Sequence, residues 1–278
     1  MGKTIKINPV LKLYLEMSGT NHLCFGLWQE KDEPTLKNLQ KAQDYYLEQL
    51  VSLIPKKIKT ILDVGSGVGG LAMYLMDDYT VHSLSPDPYQ EQLFKKNTEN
   101  KVPFSLSTFE TLEVDKTFDL IIFSESAQYI TPNKIFSKAK KLLNPRGHVL
   151  ISDYFKLETV RELILPEGKT ALPSYFFKDL LLNSEQFGFK LMKEKDITKG
   201  TVKTLIYGEE VYFHFIKPFL NFIWFHLKPL HFIINFIINY KHKNKPTIKK
   251  NILNSLQPID PKLFLKHMTY RQMLFQLG

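Results

Sequence analysis

The chain has 278 residues, 44% of them apolar, enough to fill the core of one large α/β domain with an elaboration. Its single cysteine, Cys24, excludes an internal disulfide, fits a reducing compartment, and leaves no cysteine–histidine spacing of a zinc site, so no metal is expected. The net charge of +9 is uneven: beyond Glu210, ten basic residues stand against one acid, Asp260, so residues 1–210 are neutral and the basic character belongs to the C-terminal part.

Residues 1–55 read as helical. Met1 to Val10 carries lysines but no apolar h-region, which predicts no secretory signal and a cytoplasmic protein. Leu11, Leu13 and Leu15 lead into an aromatic stretch, Asn21-His22-Leu23-Cys24-Phe25-Gly26-Leu27-Trp28. One reading of this stretch is a turn that packs Phe25 and Trp28 into the core. Leu36, Leu39, Ala42, Tyr46, Leu50 and Leu53 then recur at helical spacing until Pro55.

Ile61, Leu62 and Val64 make the short apolar run of a strand covered on both faces. Gly65, Gly67 and Gly69 follow at alternate positions, where a ligand can approach the backbone with no Cβ in the way. Leu71 to Met76 continues as a helix. The G-x-G-x-x-G spacing of dinucleotide sites is absent. D-x-G-x-G-x-G after a strand instead resembles motif I of class I S-adenosylmethionine (SAM) dependent methyltransferases. That resemblance implies SAM as cofactor, with Gly65 and Gly67 under its methionine part and Asp63 organising the loop near its ammonium; Ser66 and Gly69 complete the loop contacts. The alternative is another Rossmann-like cofactor domain. The Asn21–Trp28 stretch is similar to the histidine–glycine–tryptophan segment that closes over cofactor and substrate in methyltransferases of the tocopherol, sterol and cyclopropane-synthase group. His22 is therefore a candidate catalytic residue and Trp28 a candidate substrate contact.

Val81 to Leu84 reads as the second strand. The family usually ends it with an acid on the ribose hydroxyls, where this chain has Ser85. Asp87, two residues on, is either a substitute or a plain helix cap. Ser85-Pro86 with Gln90 resembles the L-S-P form of the same group. Val102 to Ser107 reads as the third strand. Thr108 then stands where the family has the acid that contacts adenine, and Phe109 is a candidate cover for the adenine face.

Phe118 to Phe123 reads as the fourth strand and leads into Ser124-Glu125-Ser126-Ala127-Gln128-Tyr129. This phrase resembles motif IV of the group, which implies Ser124 at the cofactor and Glu125 and Tyr129 beside its methyl group. Tyr129 replaces a frequent histidine, and a phenol is a poor base at neutral pH. The alternative for Glu125 is a structural carboxylate. Pro132 opens a helix with Ile135, Phe136, Ala139, Leu142 and Leu143 as its buried stripe. Asn144-Pro145-Arg146-Gly147 reads as a turn before a fifth strand, His148 to Asp153, whose end brings Tyr154 to the crevice as a substrate candidate. A helix over Pro173 to Phe187 and a sixth strand from Gly188 follow. Met268 to Phe275 is the candidate for the last, antiparallel strand.

Val211 to Tyr240 carries ten aromatics in thirty residues, with Lys217-Pro218 and Lys228-Pro229 repeated eleven positions apart. Its charge-free runs are too short for a spanning helix, which needs roughly 20 apolar residues. Three readings remain: a lid with a greasy pocket, in which Tyr212 and Phe215 touch substrate; an interfacial segment over 211–250, with the lysines of 241–250 on anionic headgroups; or plain packed helices. The expected division is an N-terminal helical cap (1–55), a SAM-binding Rossmann-like core (56–198), a lid insertion (199–265) and the returning strand (266–278). The expected fold is an α/β, Rossmann-like, seven-stranded methyltransferase sheet. The expected function is methyl transfer from SAM to a lipophilic small molecule or lipid. A methyltransferase docking on RNA or protein through the basic tail is one alternative, although no nucleic acid partner is expected. A non-catalytic SAM-binding scaffold is the other, since both adenosine acids are missing.

Overall fold

The computed structural model describes residues 7–158, 174–226 and 259–278. The Lys241–Lys250 cluster, the second Lys-Pro pair (Lys228-Pro229) and Pro173, the expected start of a helix, lie outside them. Seven strands form one sheet: β1 Thr60–Val64, β2 Thr80–Ser85, β3 Phe104–Leu106, β4 Phe118–Ser124, β5 Leu143–Lys156, β6 Phe189–Asp196 and β7 Met268–Leu277. Their order is β3-β2-β1-β4-β5-β7-β6. The first five run parallel, and β7 lies antiparallel between β5 and β6. The order reverses between β1 and β4, and in such sheets the ligand crevice opens there, past the C-terminal strand ends.

The strands alternate between two cores because successive side chains point to opposite faces. Ile61, Val81, Leu120, Ile122, Leu150, Tyr270 and Leu274 face one side with helices α2 (Leu36–Val51), α3 (Gly70–Leu75) and α4 (Pro88–Asn97). Leu62, Val64, Ile121, Phe123, Val149, Ile151 and Phe275 face the other, with α5 (Pro132–Leu142) and α6 (Phe177–Gln186). Covering both faces explains the near-continuous apolar runs of β1 and β4. Strand β5 starts earlier than its composition suggests. Leu143 already pairs with Phe118, and the expected turn is an irregularity inside the strand, with Arg146 at φ +61° where glycine is the easier residue.

Ahead of the sheet, α1 (Pro9–Ser18) and α2 flank an extended strap over residues 19–35. Gln43 on α2 pins it, donating to Cys24 O at 2.7 Å, His22 O at 3.3 Å and the Tyr14 hydroxyl at 2.9 Å. Leu27 N donates to Ala42 O at 2.7 Å. Between β6 and β7 the described residues include α7 (Thr198–Val211), a wider π-turn over Tyr212–Ile216 and α8 (Lys217–His226), with α9 (Pro261–His267) entering β7. Helix α7 clamps the strap from outside. Lys203 Nζ donates to the carbonyls of Gln29, Glu30 and Asp32, and Thr204 bonds Trp28 Nε1 and Phe25 O.

Candidate active site

Beneath the strap, at the sheet's reversal point, lies a cavity of about 590 Å³. The turns after β1, β2 and β4 and strap residues 21–25 form its walls, with Leu47 of α2, Leu71 of α3 and Tyr154 of β5. That is ordinary size for a cofactor with part of a second ligand.

The loop after β1 is held by β2, since Gly65 N and Ser66 N both donate to Leu84 O, at 2.9 and 3.1 Å. Gly65 has φ +74°, and a Cβ there would stand 2.4 Å from Ser126 Cβ. Ser126 is drawn close because its hydroxyl donates to Val64 O at 2.5 Å. The turn after β4 therefore packs on the glycine turn with no room for a side chain between them. Asp63, one residue before the end of β1, faces this cavity, and Ser83 Oγ at 3.3 Å is the one donor described for its carboxylate. Burial pushes its pKa up to about 7, against that bond. A buried carboxyl so lightly satisfied suits a cationic group such as the SAM ammonium, so the residues fit the cofactor that the motifs imply.

Glu125 holds φ +56°, a left-handed conformation that non-glycine residues rarely adopt and that gathers at functional sites. Its Oε1 accepts from the Phe25 amide at 2.7 Å and from the Tyr270 hydroxyl at 2.6 Å. Burial pushes its pKa up to about 7, with the Tyr270 and Phe25 bonds pulling the other way. Gln128 donates to Glu125 O at 3.1 Å, and its buried Oε1 has no partner among the described residues, although the residue lines the cavity. Asp153 is fully buried and accepts from Gln128 N and Tyr154 N, both at 2.9 Å, which fixes the turn carrying Tyr129.

The cavity brings together His22, Asp63, Gly65, Ser66, Gly67, Ser85, Asp87, Ser124, Glu125, Tyr129 and Tyr154. Some of these side chains already have partners. His22 Nε2 lies 3.1 Å from Asp44 Oδ1, yet burial lowers its pKa and favours the neutral ring. Ser85 bonds Gln90 at 2.5 Å. Asp87 Oδ1 caps α4 through Tyr89 N at 2.8 Å, so the plain cap reading holds for that oxygen.

The other candidates lie elsewhere. Gly69 is the N-cap of α3 and is backed by Phe94 and Thr98, while Gly70 takes the place at the cavity wall. Thr108 is exposed and bonds Thr111. The Phe109 ring is buried edge-on against Phe123 at 5.0 Å and does not line the cavity, because a large ring after β3 gains more from the core than from a crevice edge. Trp28 is buried with Leu39 and Ala42 and bonds Thr204, which makes it an anchor between strap and α7. Tyr212 stacks on Phe213, and Phe215 is 71% exposed; neither lines the cavity. Sequence reasoning missed Gln43, Gln128 and the role of Tyr270. The available signal for Tyr270 was a hydroxyl on the apolar face of a buried strand.

Residues 62–151 match the family model described as a methyltransferase domain. The phosphoethanolamine N-methyltransferase of Plasmodium falciparum (isolate 3D7) is 33% identical over 106 residues, 35% of this chain and 40% of that protein. A probable chloroplastic tocopherol O-methyltransferase of Oryza sativa subsp. japonica is 24% identical over 194 residues, 60% of this chain and 54% of that protein. The matches thus span roughly half or less of these relatives' own length. Among solved structures, the [4+2]-cyclase SpnF superposes with a TM-score of 0.68 at 17% identity, over 97% of this chain and 92% of that one. At that identity the likeness speaks for the fold alone. Domain match and sheet order agree: residues 62–151 carry a methyltransferase domain, set in a Rossmann-like, seven-stranded α/β fold.

Proposed function

We propose that the chain is a SAM-dependent methyltransferase that acts on a lipophilic small molecule, at a carbon or a hydroxyl. The observation that carries this reading is one shared cavity in which the glycine turn and Asp63 face Glu125, Tyr129 and Tyr154. SAM, when bound, supplies an electrophilic methyl group. The chain's own task is then to align an acceptor, exclude water and take up a proton. Glu125 is the proton acceptor, because a carboxyl with a pKa about 7 is well matched to general-base work near neutrality. Tyr129 stands at the exposed rim and orients the acceptor.

The lining favours an apolar acceptor. Leu23, Phe25, Leu47, Val68, Leu71 and Tyr154 give it an apolar wall, and its acids are Asp63, Asp87 and Glu125. A phosphate-bearing acceptor, such as the Plasmodium relative's name implies, would meet these carboxylates and, among the described residues lining the cavity, no lysine or arginine. The test is calorimetry with SAM, followed by transfer of labelled methyl to a prenyl phenol, an unsaturated lipid and phosphoethanolamine. Binding with transfer to either of the first two supports the proposal. Transfer to phosphoethanolamine alone overturns the acceptor class, and binding without any transfer favours the scaffold alternative.

A second feature concerns how such an acceptor is reached. Phe215, Phe219, Phe222 and Phe225 on the π-turn and α8 are each 61–71% exposed, beside Lys217. No helix among the described residues is long and apolar enough to cross a membrane. We read this face as a peripheral contact with a lipid surface.

A further inference from the structure

Tyr270 stands in β7 and is fully buried. Its hydroxyl reaches out of the sheet to Glu125 Oε1 at 2.6 Å. Behind it, the Tyr46 hydroxyl lies 3.3 Å away and bonds Ser152 Oγ at 2.7 Å and Ser124 Oγ at 3.0 Å. This polar string crosses an otherwise aromatic layer. The rings of Phe25, Tyr154, Phe264 and Tyr270 pack against one another at centroid distances of 5.8 to 6.3 Å. Both hydrogen bonds to Glu125 arrive at Oε1, and among the described residues Oε2 accepts none.

We propose that Tyr270 is a positioning residue for Glu125: by holding Oε1 from within the sheet, it turns Oε2 to the cavity and sets the direction in which an acceptor's proton leaves. The catalytic half of this statement rests on the methyltransferase reading; the positioning half does not. Three observations support it. The left-handed backbone at Glu125 does not by itself fix where the carboxyl points, so its partners must. The other partner, the Phe25 amide, belongs to the strap outside the sheet, whereas Tyr270 is held in the sheet by the β5–β7 ladder. Tyr270 also lies outside the cavity lining, so it acts through Glu125 and not on a ligand.

The arrangement also predicts how Glu125 titrates. Around it stand Tyr14 on α1, Tyr46 on α2, Cys24 on the strap, Tyr129 after β4, and Asp153 and Tyr154 on β5. Burial holds each of them on its neutral side, and none is a cation. Hydrogen bonds are therefore what keep the Glu125 carboxylate from rising further, and the Tyr270 bond is the larger of the two.

The test is an infrared titration of the protonated-carboxyl band in the full chain, without acceptor. The Glu125→Gln variant identifies the band by its loss. In Tyr270→Phe the midpoint of that band rises by about one pH unit, a tenfold change in proton affinity. SAM affinity by calorimetry stays within about twofold, since no lining group is removed. An unchanged or lowered midpoint overturns the proposal. If Tyr270→Phe does not fold, Tyr46→Phe decides: a smaller upward shift supports the string, and no shift overturns it. A wild-type chain that binds no SAM sinks the methyltransferase reading while the titration still judges Tyr270.

Discussion

Glu125 Oε1 accepts the amide of Phe25 at 2.7 Å across one hundred residues of sequence, so the carboxylate at the end of β4 also ties down the strap that roofs the cavity. Glu125→Gln keeps an acceptor oxygen for that amide, whereas Glu125→Ala removes it. Hydrogen exchange at Phe25 is expected to quicken by roughly 10- to 100-fold in the alanine variant and by much less in the glutamine variant, since a hydrogen bond to a charged group contributes about 1.5–3 kcal/mol. Methyl transfer is expected to fall by about 10²–10⁴ in both, as when a general base is lost. Equal exchange rates in the two variants would break the tie between strap and carboxylate.

Stability should fall as pH rises from the ordinary carboxyl range to neutrality. Glu125 is raised from 4.5 to about 7 and Asp63 from 3.8 to about 7, each chiefly by burial. The native state thus holds protons that the unfolded chain has already released, and the linkage slope is negative in that window. Their contribution is complete below the unfolded values and is lost as pH passes about 7. Denaturant melts of the wild type, Glu125→Gln and Asp63→Asn should show a flatter profile in each variant. SAM affinity should move the opposite way for Asp63 and strengthen from about pH 6 to about pH 8, because a cation selects the ionised carboxylate.

Gly70→Ala should dislodge the strap and spare the sheet. A Cβ there would lie 2.5 Å from His22 Nδ1 and 2.7 Å from Asn21 O, both strap atoms. Limited proteolysis should cut within residues 19–28 at least several-fold faster, with weaker SAM binding and a melting temperature lowered by only a few degrees, about 1 kcal/mol. A large loss of global stability would show instead that the strap belongs to the core.

The exposed phenylalanines of α8 give a surface prediction. Phe219→Ser with Phe222→Ser is expected to weaken co-sedimentation with phosphatidylcholine–phosphatidylserine vesicles by roughly tenfold or more, since each buried ring contributes about 1.5–3 kcal/mol. The melting temperature should not change. Unaltered vesicle binding, or a change of oligomeric state in its place, would remove the lipid reading of this face.

The parts of the fold set by local pattern were legible in the chain: the apolar runs of β1 and β4, the glycine turn, the α5 stripe, and β7 as the returning strand. Asp63, Gly65, Gly67 and Glu125 follow because they sit at the C-terminal ends of those strands, where topology places the crevice. What escaped depends on partners distant in sequence. Phe109 follows β3 just where a ligand contact would stand, but Phe123 offers its ring a dry neighbour. Trp28 looked like a substrate contact until Thr204, from a helix 176 positions later, took its indole. No periodicity reveals that Gln43 gathers two strap carbonyls, or that the phenol of Tyr270 meets Glu125.

Because β7 runs between β5 and β6, the sheet's interior waits for residues 268–277. As the chain emerges from the ribosome, β5 and β6 are both made while the place between them is still empty, and β6 has no neighbour in the sheet. The nascent protein therefore has an open edge on β5 and an unpaired β6, exposed to mispairing or chaperone capture, until this late segment arrives and aligns both strands at once.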